Sequence, residues 1–186
     1  MRTTMIKKLA CLMALALAST APAYAFTYGI QANYGTGHLL KSAPRDIDGG
    51  GLQFSIQPDN WQWGILRVYL EANENYWHTS STSANNNIWI TAIAPVARLT
   101  FFRNNKVSPF IEGSVGASIM SATHFGDRDL GINFAFQDIG GIGVAFGKNH
   151  QVDATLRAIH YSNASIAKHN SGITVPVDFQ IGYWFS

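Results

Sequence analysis

The sequence predicts an all-β fold, an eight-stranded antiparallel transmembrane β-barrel of the bacterial outer membrane. Three observations lead to this prediction. Apolar and polar residues alternate over eight segments, which gives each strand one apolar and one polar face. The connections between the segments alternate between long and short, as in outer-membrane barrels, where short turns face the periplasm. Beyond residue 25, no apolar run approaches the roughly 20 residues that a membrane-spanning helix needs.

The first 25 residues are predicted to form a secretory signal peptide, and residues 26–186 the barrel domain. The signal consists of a positive n-region with Arg2, Lys7 and Lys8, an apolar core over residues 9–18, and the small-x-small cleavage site Ala23-Tyr24-Ala25. Cys11 lies inside the apolar core, so the exported chain is expected to contain no disulfide. Removal of 3 of the 13 basic residues leaves 10 against 11 acidic ones, which gives no support to a nucleic-acid partner.

The first half of the chain predicts four strands. They cover residues 27–34, 52–57, 61–72 and 88–102, and they are separated by a polar segment at 35–50, a tight turn at 58–60 and a long polar loop at 74–87. Aliphatic residues on one face and charged residues on the other, as in the third of these strands, are typical of a barrel wall.

The second half predicts four more strands. They cover residues 109–120, 134–146, 151–162 and 175–185, and they are separated by the turn 103–106, the loop 121–133, the turn 147–150 and the loop that follows residue 162. The chain ends in Tyr183, Trp184, Phe185 and Ser186, and this aromatic ending is similar to that of outer-membrane barrels.

Charged residues of the strands are expected to fill the barrel interior, because small barrels pack polar and paired charged side chains there. They are Arg67, Glu71, Glu112, Asp138, Asp153, Arg157 and Asp178. The five tryptophans are expected at the membrane interface; they are Trp61, Trp63, Trp77, Trp89 and Trp184. The histidines outside the seventh strand are scattered among loops without metal-ligand spacing, so no metal site is predicted.

The seventh predicted strand carries two polar residues on an otherwise apolar face. That face consists of Val152, Ala154, Leu156 and Ala158, followed by His160 and Ser162. Because the strand starts at a periplasmic turn, the polar pair is expected near its outer end, facing the outer leaflet. An imidazole and a hydroxyl in an acyl layer are costly, so their presence there indicates a function.

His160 and Ser162 have the spacing of a catalytic pair. Residues i and i+2 on a strand share one face with their Cα atoms about 6–7 Å apart, near enough for an imidazole to take a hydroxyl proton. A serine activated in this way is an acyl-transfer nucleophile. Asn163 and Asn170 follow in the outer loop, and their side-chain amides can donate to a tetrahedral oxyanion.

The segment Arg157-Ala158-Ile159-His160-Tyr161-Ser162-Asn163-Ala164 resembles the signature of the PagL family of outer-membrane lipid A 3-O-deacylases. Weaker similarities extend the resemblance from about Trp89 to the C-terminus. The resemblance implies that a serine attacks the ester at position 3 of lipid A and releases a 3-hydroxy fatty acid, with no metal or other cofactor. It also implies the roles of nucleophile for Ser162, general base for His160 and oxyanion donors for Asn163 and Asn170.

The third member of the catalytic set is where the sequence departs from the family. The family has a glutamate at the position that aligns with Thr174, or with Val175 if the loop is one residue longer. A carboxylate there would hold the tautomer of the imidazole and stabilise its cation. Three alternatives remain open: Thr174 accepts from the imidazole, Asp178 replaces the glutamate although its parity points inwards, or a Ser-His dyad acts with a backbone group.

The predicted partners follow from this interpretation. Lipid A, as part of lipopolysaccharide, is the expected substrate, the bacterial outer membrane is the expected location, and both a monomer and a homodimer remain open. The alternative function is a non-catalytic small barrel, structural or adhesin-like, with a degenerate active site.

Overall fold

The structure is a computed structural model that describes residues 25–37, 47–80 and 85–185, and the predicted signal peptide up to residue 24 lies outside the described residues. Eight long strands form the barrel: β1 (Phe26–Thr36), β2 (Ile47–Pro58), β3 (Leu66–Thr79), β4 (Asn87–Thr100), β5 (Val107–Met120), β6 (Phe134–Phe146), β7 (Val152–Ser162) and β8 (Ile173–Phe185). A single turn of 3-10 helix, Lys148–His150, connects β6 to β7.

Every strand pairs antiparallel with its neighbours in the chain, and the first strand pairs with the last. Tyr28 of β1 lies opposite Phe185 of β8, which closes the sheet into a ring. Closure leaves no strand edge unpaired within a membrane. The predicted eight-stranded antiparallel barrel is therefore confirmed. Among the described residues, no helix is long and apolar enough to cross a membrane.

The two faces of the wall differ as the alternation predicts. Large apolar side chains project outwards and are about half exposed or more, including Ile30, Leu52, Ile93, Val115, Ile119, Ile142 and Phe179. The inner face is polar, with buried Gln31, Gln53, Asn73, Gln137 and Gln180. An apolar exterior around a filled polar interior is the arrangement that a lipid environment requires of a small barrel.

Two buried arginines organise the charges of the interior. Arg98 lies 2.8 Å from Glu112 and 2.5 Å from Asp153 through its terminal nitrogens. The Nε atom of Arg157 lies 3.0 Å from Asp178. Because an unpaired buried charge is strongly destabilising, these pairs are what allows charged residues inside so narrow a barrel.

The outer end of the barrel contains an apolar plug instead of polar residues. Its buried members include Ile47, Trp77, Ile88, Ile90, Met120, Phe125, Leu130, Ile159, Tyr161, Ile173 and Val175. Ile159 and Tyr161 belong to β7, so the inner side of this strand packs against the plug where its outer side carries His160. The plug gives the outer end of β7 a rigid backing.

The predicted loop 74–87 begins too early, because β3 continues to Thr79 and the connection to β4 covers residues 80–86. Two of the three interior side chains of this extension, Asn75 and Thr79, are polar, and Asn75 donates to Asn73, which also bonds Gln137. On the outer side, Thr91 donates to Glu74. Polar residues on both faces conceal the alternation, and the strand is recognisable through its pairing with β4.

Three further predictions about side-chain direction are wrong. Asp138, predicted in the interior, lies directly opposite Val115 and His160, which both face outwards, while its neighbours Gln137 and Ile139 are buried. Residues opposite one another on paired strands share a face, so Asp138 is on the exterior. Trp77 and Trp184, predicted at the membrane interface, are 0% and 4% exposed and face inwards.

Candidate active site

The outer ends of three adjacent strands position the imidazole of His160. In the pairing register, His160 of β7 lies opposite Thr174 of β8 on one side and Asp138 of β6 on the other. The imidazole is exposed on the outer surface, as the alternation of β7 predicts. The site therefore combines one imidazole, one hydroxyl and one carboxylate in a row across the sheet.

The Nδ1 atom of His160 lies 2.8 Å from the Oγ1 atom of Thr174. In the neutral tautomer with hydrogen on Nδ1, the imidazole donates to this hydroxyl and Nε2 carries the free lone pair that a general base needs. A threonine hydroxyl can also donate, so it selects the tautomer less strictly than a carboxylate does. It also carries no charge to stabilise an imidazolium ion.

Of the two candidates for the third catalytic member, the structure brings only Thr174 to the imidazole. Asp178 is 0% exposed inside the barrel, where it accepts from Arg157 at 3.0 Å and from Asn33 at 2.6 Å. Val175 is also 0% exposed and belongs to the apolar plug. A β-bulge on β8 explains both directions: Arg157 pairs with Asp178 but Ile159 pairs with Val175, so one extra residue lies between these two pairs and both side chains face inwards.

Ser162 is the last residue of β7 and shares the outer face with His160. A tight turn follows at once, in which the amide of Ile166 donates to the carbonyl of Asn163. Ala164 and Ser165 at its centre have φ angles of 51° and 63°, the left-handed region that non-glycine residues rarely adopt. Backbone strain of this kind persists where the surroundings impose it, and it often occurs at functional sites.

Asn163 connects the segments around the site. Its side-chain nitrogen donates to the carbonyls of Leu130 at 2.9 Å and His169 at 2.7 Å, and its backbone amide donates to the side-chain oxygen of Asn170 at 2.9 Å. Both hydrogens of the Asn163 amide are thus engaged by the protein. This side chain positions the loop, whereas an oxyanion donor needs a free hydrogen.

Asn170 has the opposite arrangement. Its side-chain oxygen faces Asn163, so its Nδ2 group points the other way, and in the described part of the chain this nitrogen has no hydrogen-bond partner. The residue is half-buried in the loop beside Ser162. Of the two asparagines predicted from the sequence, Asn170 is the one with hydrogens free to donate.

Gly172 and Arg128 support the site, and neither was predicted from the sequence. Gly172 has a φ angle of 62°, and a Cβ atom there would lie 3.3 Å from His160 Cε1 and 3.0 Å from the carbonyl of Tyr161. Arg128 donates to the carbonyls of Ser171 at 3.1 Å and Gly172 at 3.0 Å. Together they fix the backbone that leads into Thr174. In the sequence, the glycine at position 172 was the one feature that could have indicated this support.

A groove of about 800 Å³ runs along the outer surface of the wall and ends at the imidazole. Its outward-facing residues are small or aliphatic along most of the length, namely Val68, Pro95, Ala97, Gly113, Val115, Gly140 and Ala158, with Asp138, His160 and Thr174 at one end. A Cβ atom at Gly140 would meet nothing within 4 Å, so this glycine leaves the groove open. The groove suits an acyl chain beside a polar reacting group.

Comparisons with known proteins agree with this architecture. A family model described as "Lipid A 3-O-deacylase (PagL)" matches residues 48–180. A lipid A deacylase PagL of Pseudomonas aeruginosa is 34% identical over 125 residues, 66% of this chain and 69% of the relative. One of Bordetella bronchiseptica is 28% identical over 170 residues, 91% of each chain.

Solved structures give the same result for the fold. The crystal structure of the outer membrane enzyme PagL matches with a TM-score of 0.66 and 26% identity, covering 83% of this chain and 98% of that one. Neisserial surface protein A matches with a TM-score of 0.54 and 11% identity, over 86% of this chain and 97% of its own, a similarity of fold alone.

The fold and the relatives together show the class of this protein, which is an eight-stranded β-barrel of the outer membrane. Within that class it belongs to the PagL family of lipid A 3-O-deacylases. A 3-O-deacylase hydrolyses a carboxylic ester, so the family is one of ester hydrolases. The resemblance predicted from residues 157–164 is confirmed.

Proposed function

We propose that this protein removes the ester-linked 3-hydroxyacyl chain from position 3 of lipid A by a serine-histidine mechanism. The observation that carries the proposal is the outward direction of His160 and Ser162 on β7, with His160 at the end of an apolar groove. A site on the outer wall of the barrel faces lipid directly, and in the outer leaflet that lipid is lipopolysaccharide. The groove would hold the acyl chain while its ester lies beside Ser162.

The first half of the reaction transfers the acyl group to the enzyme. The Oγ atom of Ser162 attacks the ester carbonyl while His160 Nε2 takes the hydroxyl proton. The negative charge passes to the carbonyl oxygen, towards which Asn170 Nδ2 can donate. When the intermediate collapses, the imidazolium returns the proton to the departing sugar oxygen, and the acyl-serine remains.

Water completes the reaction at the same groups. His160 takes a proton from a water molecule, which attacks the acyl-serine carbonyl. Collapse of this second intermediate releases the 3-hydroxy fatty acid and restores the proton to Ser162. Throughout, Thr174 Oγ1 accepts from Nδ1–H, which fixes one orientation of the ring and leaves Nε2 as the base for the serine.

One observation favours the alternative of a non-catalytic barrel. Thr174 stands where the resemblance implies a glutamate, so the imidazolium has no carboxylate on its Nδ1 side. Asp138, on the other side of the ring, is the carboxylate nearest in the register. A serine-directed probe tests whether Ser162 is activated, and this test makes no assumption about the lipid substrate.

We expect a fluorophosphonate probe to label the refolded wild-type barrel at a single serine. The serine oxygen would displace fluoride from phosphorus while His160 takes the proton, which requires an activated hydroxyl. Ser162→Ala and His160→Ala should both lose the label, whereas Ser171→Ala, an exposed serine of the same loop, should keep it. Labelling of Ser162 that persists in His160→Ala would contradict the assigned base, and failure of the wild type to react would favour the non-catalytic alternative.

We expect Gly140→Leu to lower the rate of lipid A deacylation by roughly tenfold or more, because its side chain would fill the groove and displace the acyl chain. The probe reaction at Ser162, which needs no long acyl chain, should be unaffected. Val144→Leu is the matched control, since Val144 also faces outwards on β6 but lies outside this groove. Equal deacylation rates in wild type and Gly140→Leu would show that the acyl chain binds elsewhere.

A further inference from the structure

The loop between β5 and β6, residues 121–133, packs against the loop that contains Asn170. In the second loop, Asn170 lies between His169 and Ser171, and both of these neighbours contact a single residue of the first loop, Asp129. A residue that contacts both neighbours of a side chain limits the positions that this side chain can adopt. Asp129 has no part in the steps of the proposed deacylation.

Asp129 contacts the two neighbours in different ways. The backbone amide of Ser171 donates to the backbone carbonyl of Asp129 at 3.1 Å. The carboxylate faces the residue on the other side of Asn170, with its Oδ2 atom 3.5 Å from Nδ1 of His169, an ion-pair distance when the imidazole is protonated. His124, in the same loop as Asp129, lies 3.8 Å from Oδ1. The side chain of Asp129 is thus directed at the segment that carries Asn170.

The other carboxylate oxygen of Asp129 orders the backbone against which this segment packs. Oδ1 accepts from the backbone amide of Gly131 at 2.9 Å. Gly131 has a φ angle of 77°, and a Cβ atom there would collide with the carbonyl oxygen of His169. Only glycine allows so close an approach in this conformation. The carboxylate therefore fixes the surface on which residues 169–171 lie.

The position of the Asn170 side chain depends on this backbone. Its Oδ1 atom accepts from the backbone amide of Asn163 at 2.9 Å, which leaves Nδ2 free to donate. An oxyanion donor acts when it lies about 2.7–3.1 Å from the developing charge. A displacement of about 1 Å in such a site can lower the rate roughly a hundredfold. The backbone on both sides of Asn170 must therefore be held, and Asp129 contacts it on both sides.

We propose that Asp129 is a positioning residue, which holds Asn170 where its Nδ2 group can donate to the oxyanion. The inference rests on the proposed function, in which Asn170 has that role. Asp129 acts through the backbone of residues 169–171 and is not itself a catalytic residue. Arg128 donates to the carbonyl of Ser171 at 3.1 Å, so the loop remains attached when the Asp129 carboxylate is removed, while Asn170 gains freedom.

The first test uses amide hydrogen exchange and needs no catalysis. The backbone amide of Asn163 donates to Asn170, so its exchange rate reports whether Asn170 is held in place. The rates are measured by NMR on the full refolded barrel in detergent micelles. We expect Asp129→Ala to raise the exchange rate of the Asn163 amide about tenfold or more, towards the rate in Asn170→Ala. Asp127→Ala removes an exposed carboxylate of the same loop and should leave this rate within about twofold of wild type.

Two results of the exchange measurement would overturn the proposal. One is an unchanged rate in a folded Asp129→Ala protein. The other is a wild-type rate as fast as that of Asn170→Ala, because Asn170 would then not be held at all, and this result needs no variant of Asp129. Asp129→Asn keeps an acceptor for the amide of Gly131 but has no charge to face His169, so it is the milder variant and should give an intermediate rate.

The second test is kinetic and separates a positioning role from a general structural one. We expect Asp129→Ala to lower kcat for lipid A deacylation about tenfold or more while KM stays within about twofold, because an oxyanion donor acts in the transition state. In an Asn170→Ala background the same substitution should have no further effect on kcat. Equal losses in both backgrounds would show that Asp129 does not act through Asn170.

The two tests also separate this inference from the proposed function. A folded wild type that releases no fatty acid would contradict the proposed function, while the exchange rates would still show whether Asp129 holds Asn170. Normal deacylation by the wild type, with an Asn163 exchange rate that Asp129→Ala leaves unchanged, would contradict the inference alone.

Discussion

Replacement of Ser162 by alanine is expected to abolish deacylation while the barrel still folds. The side chain lies at the outer end of β7, outside the buried network, so its loss removes a hydroxyl and little packing. Without the nucleophile, acyl transfer cannot begin, and the rate should fall by about three orders of magnitude or more. Release of 3-hydroxy fatty acid from purified lipopolysaccharide in micelles, measured against time, provides the rate.

The matched control for this variant is Ser171→Ala. Ser171 is an exposed serine of the same loop whose described hydrogen bonds involve its backbone. It should deacylate at the wild-type rate and unfold at the wild-type temperature. Retention of activity by a folded Ser162→Ala protein would eliminate Ser162 as the nucleophile.

Thr174→Glu is expected to raise the deacylation rate, by roughly ten- to a hundredfold. The threonine hydroxyl already lies 2.8 Å from His160 Nδ1, so a carboxylate at this position can accept the same hydrogen and also stabilise the imidazolium that forms. A triad carboxylate can be worth orders of magnitude in rate. The side chain points outwards, so the added charge enters no buried space.

Two variants separate the effect of charge from that of the hydrogen bond. Thr174→Gln can accept from Nδ1 without a charge and should show little increase, while Thr174→Val loses the bond and should fall below wild type. No increase with glutamate would show that another group, such as Asp138 across the ring, already stabilises the cation. A glutamate at Val175 would place a charge in the apolar plug and destabilise the barrel instead.

Alternation along the strands was sufficient to predict the barrel and the outward direction of the proposed catalytic pair. Each strand of an outer-membrane barrel must present apolar residues to lipid, so parity alone places His160 and Ser162 outside. The same rule predicts that Asp178 faces inwards. These results depend on the order of residues within one strand, which is information that the sequence contains.

Other features depend on contacts between strands and were not predictable in this way. Asp138 lies outside because β6 pairs with β5 and β7 in one particular register. The side-chain amide of Asn163 has no free hydrogen because the carbonyls of Leu130 and His169 accept both. The groove exists because small residues from several strands lie side by side, which no single strand reveals.

The most direct test of the proposed function is mass spectrometry of lipid A from cells that express the wild-type chain, beside cells that express Ser162→Ala. Both proteins must first be shown to be folded in the outer membrane. We predict that lipid A from the wild-type cells alone loses the mass of one 3-hydroxyacyl group. Identical lipid A spectra from the two strains would contradict the assignment of lipid A as the substrate of Ser162.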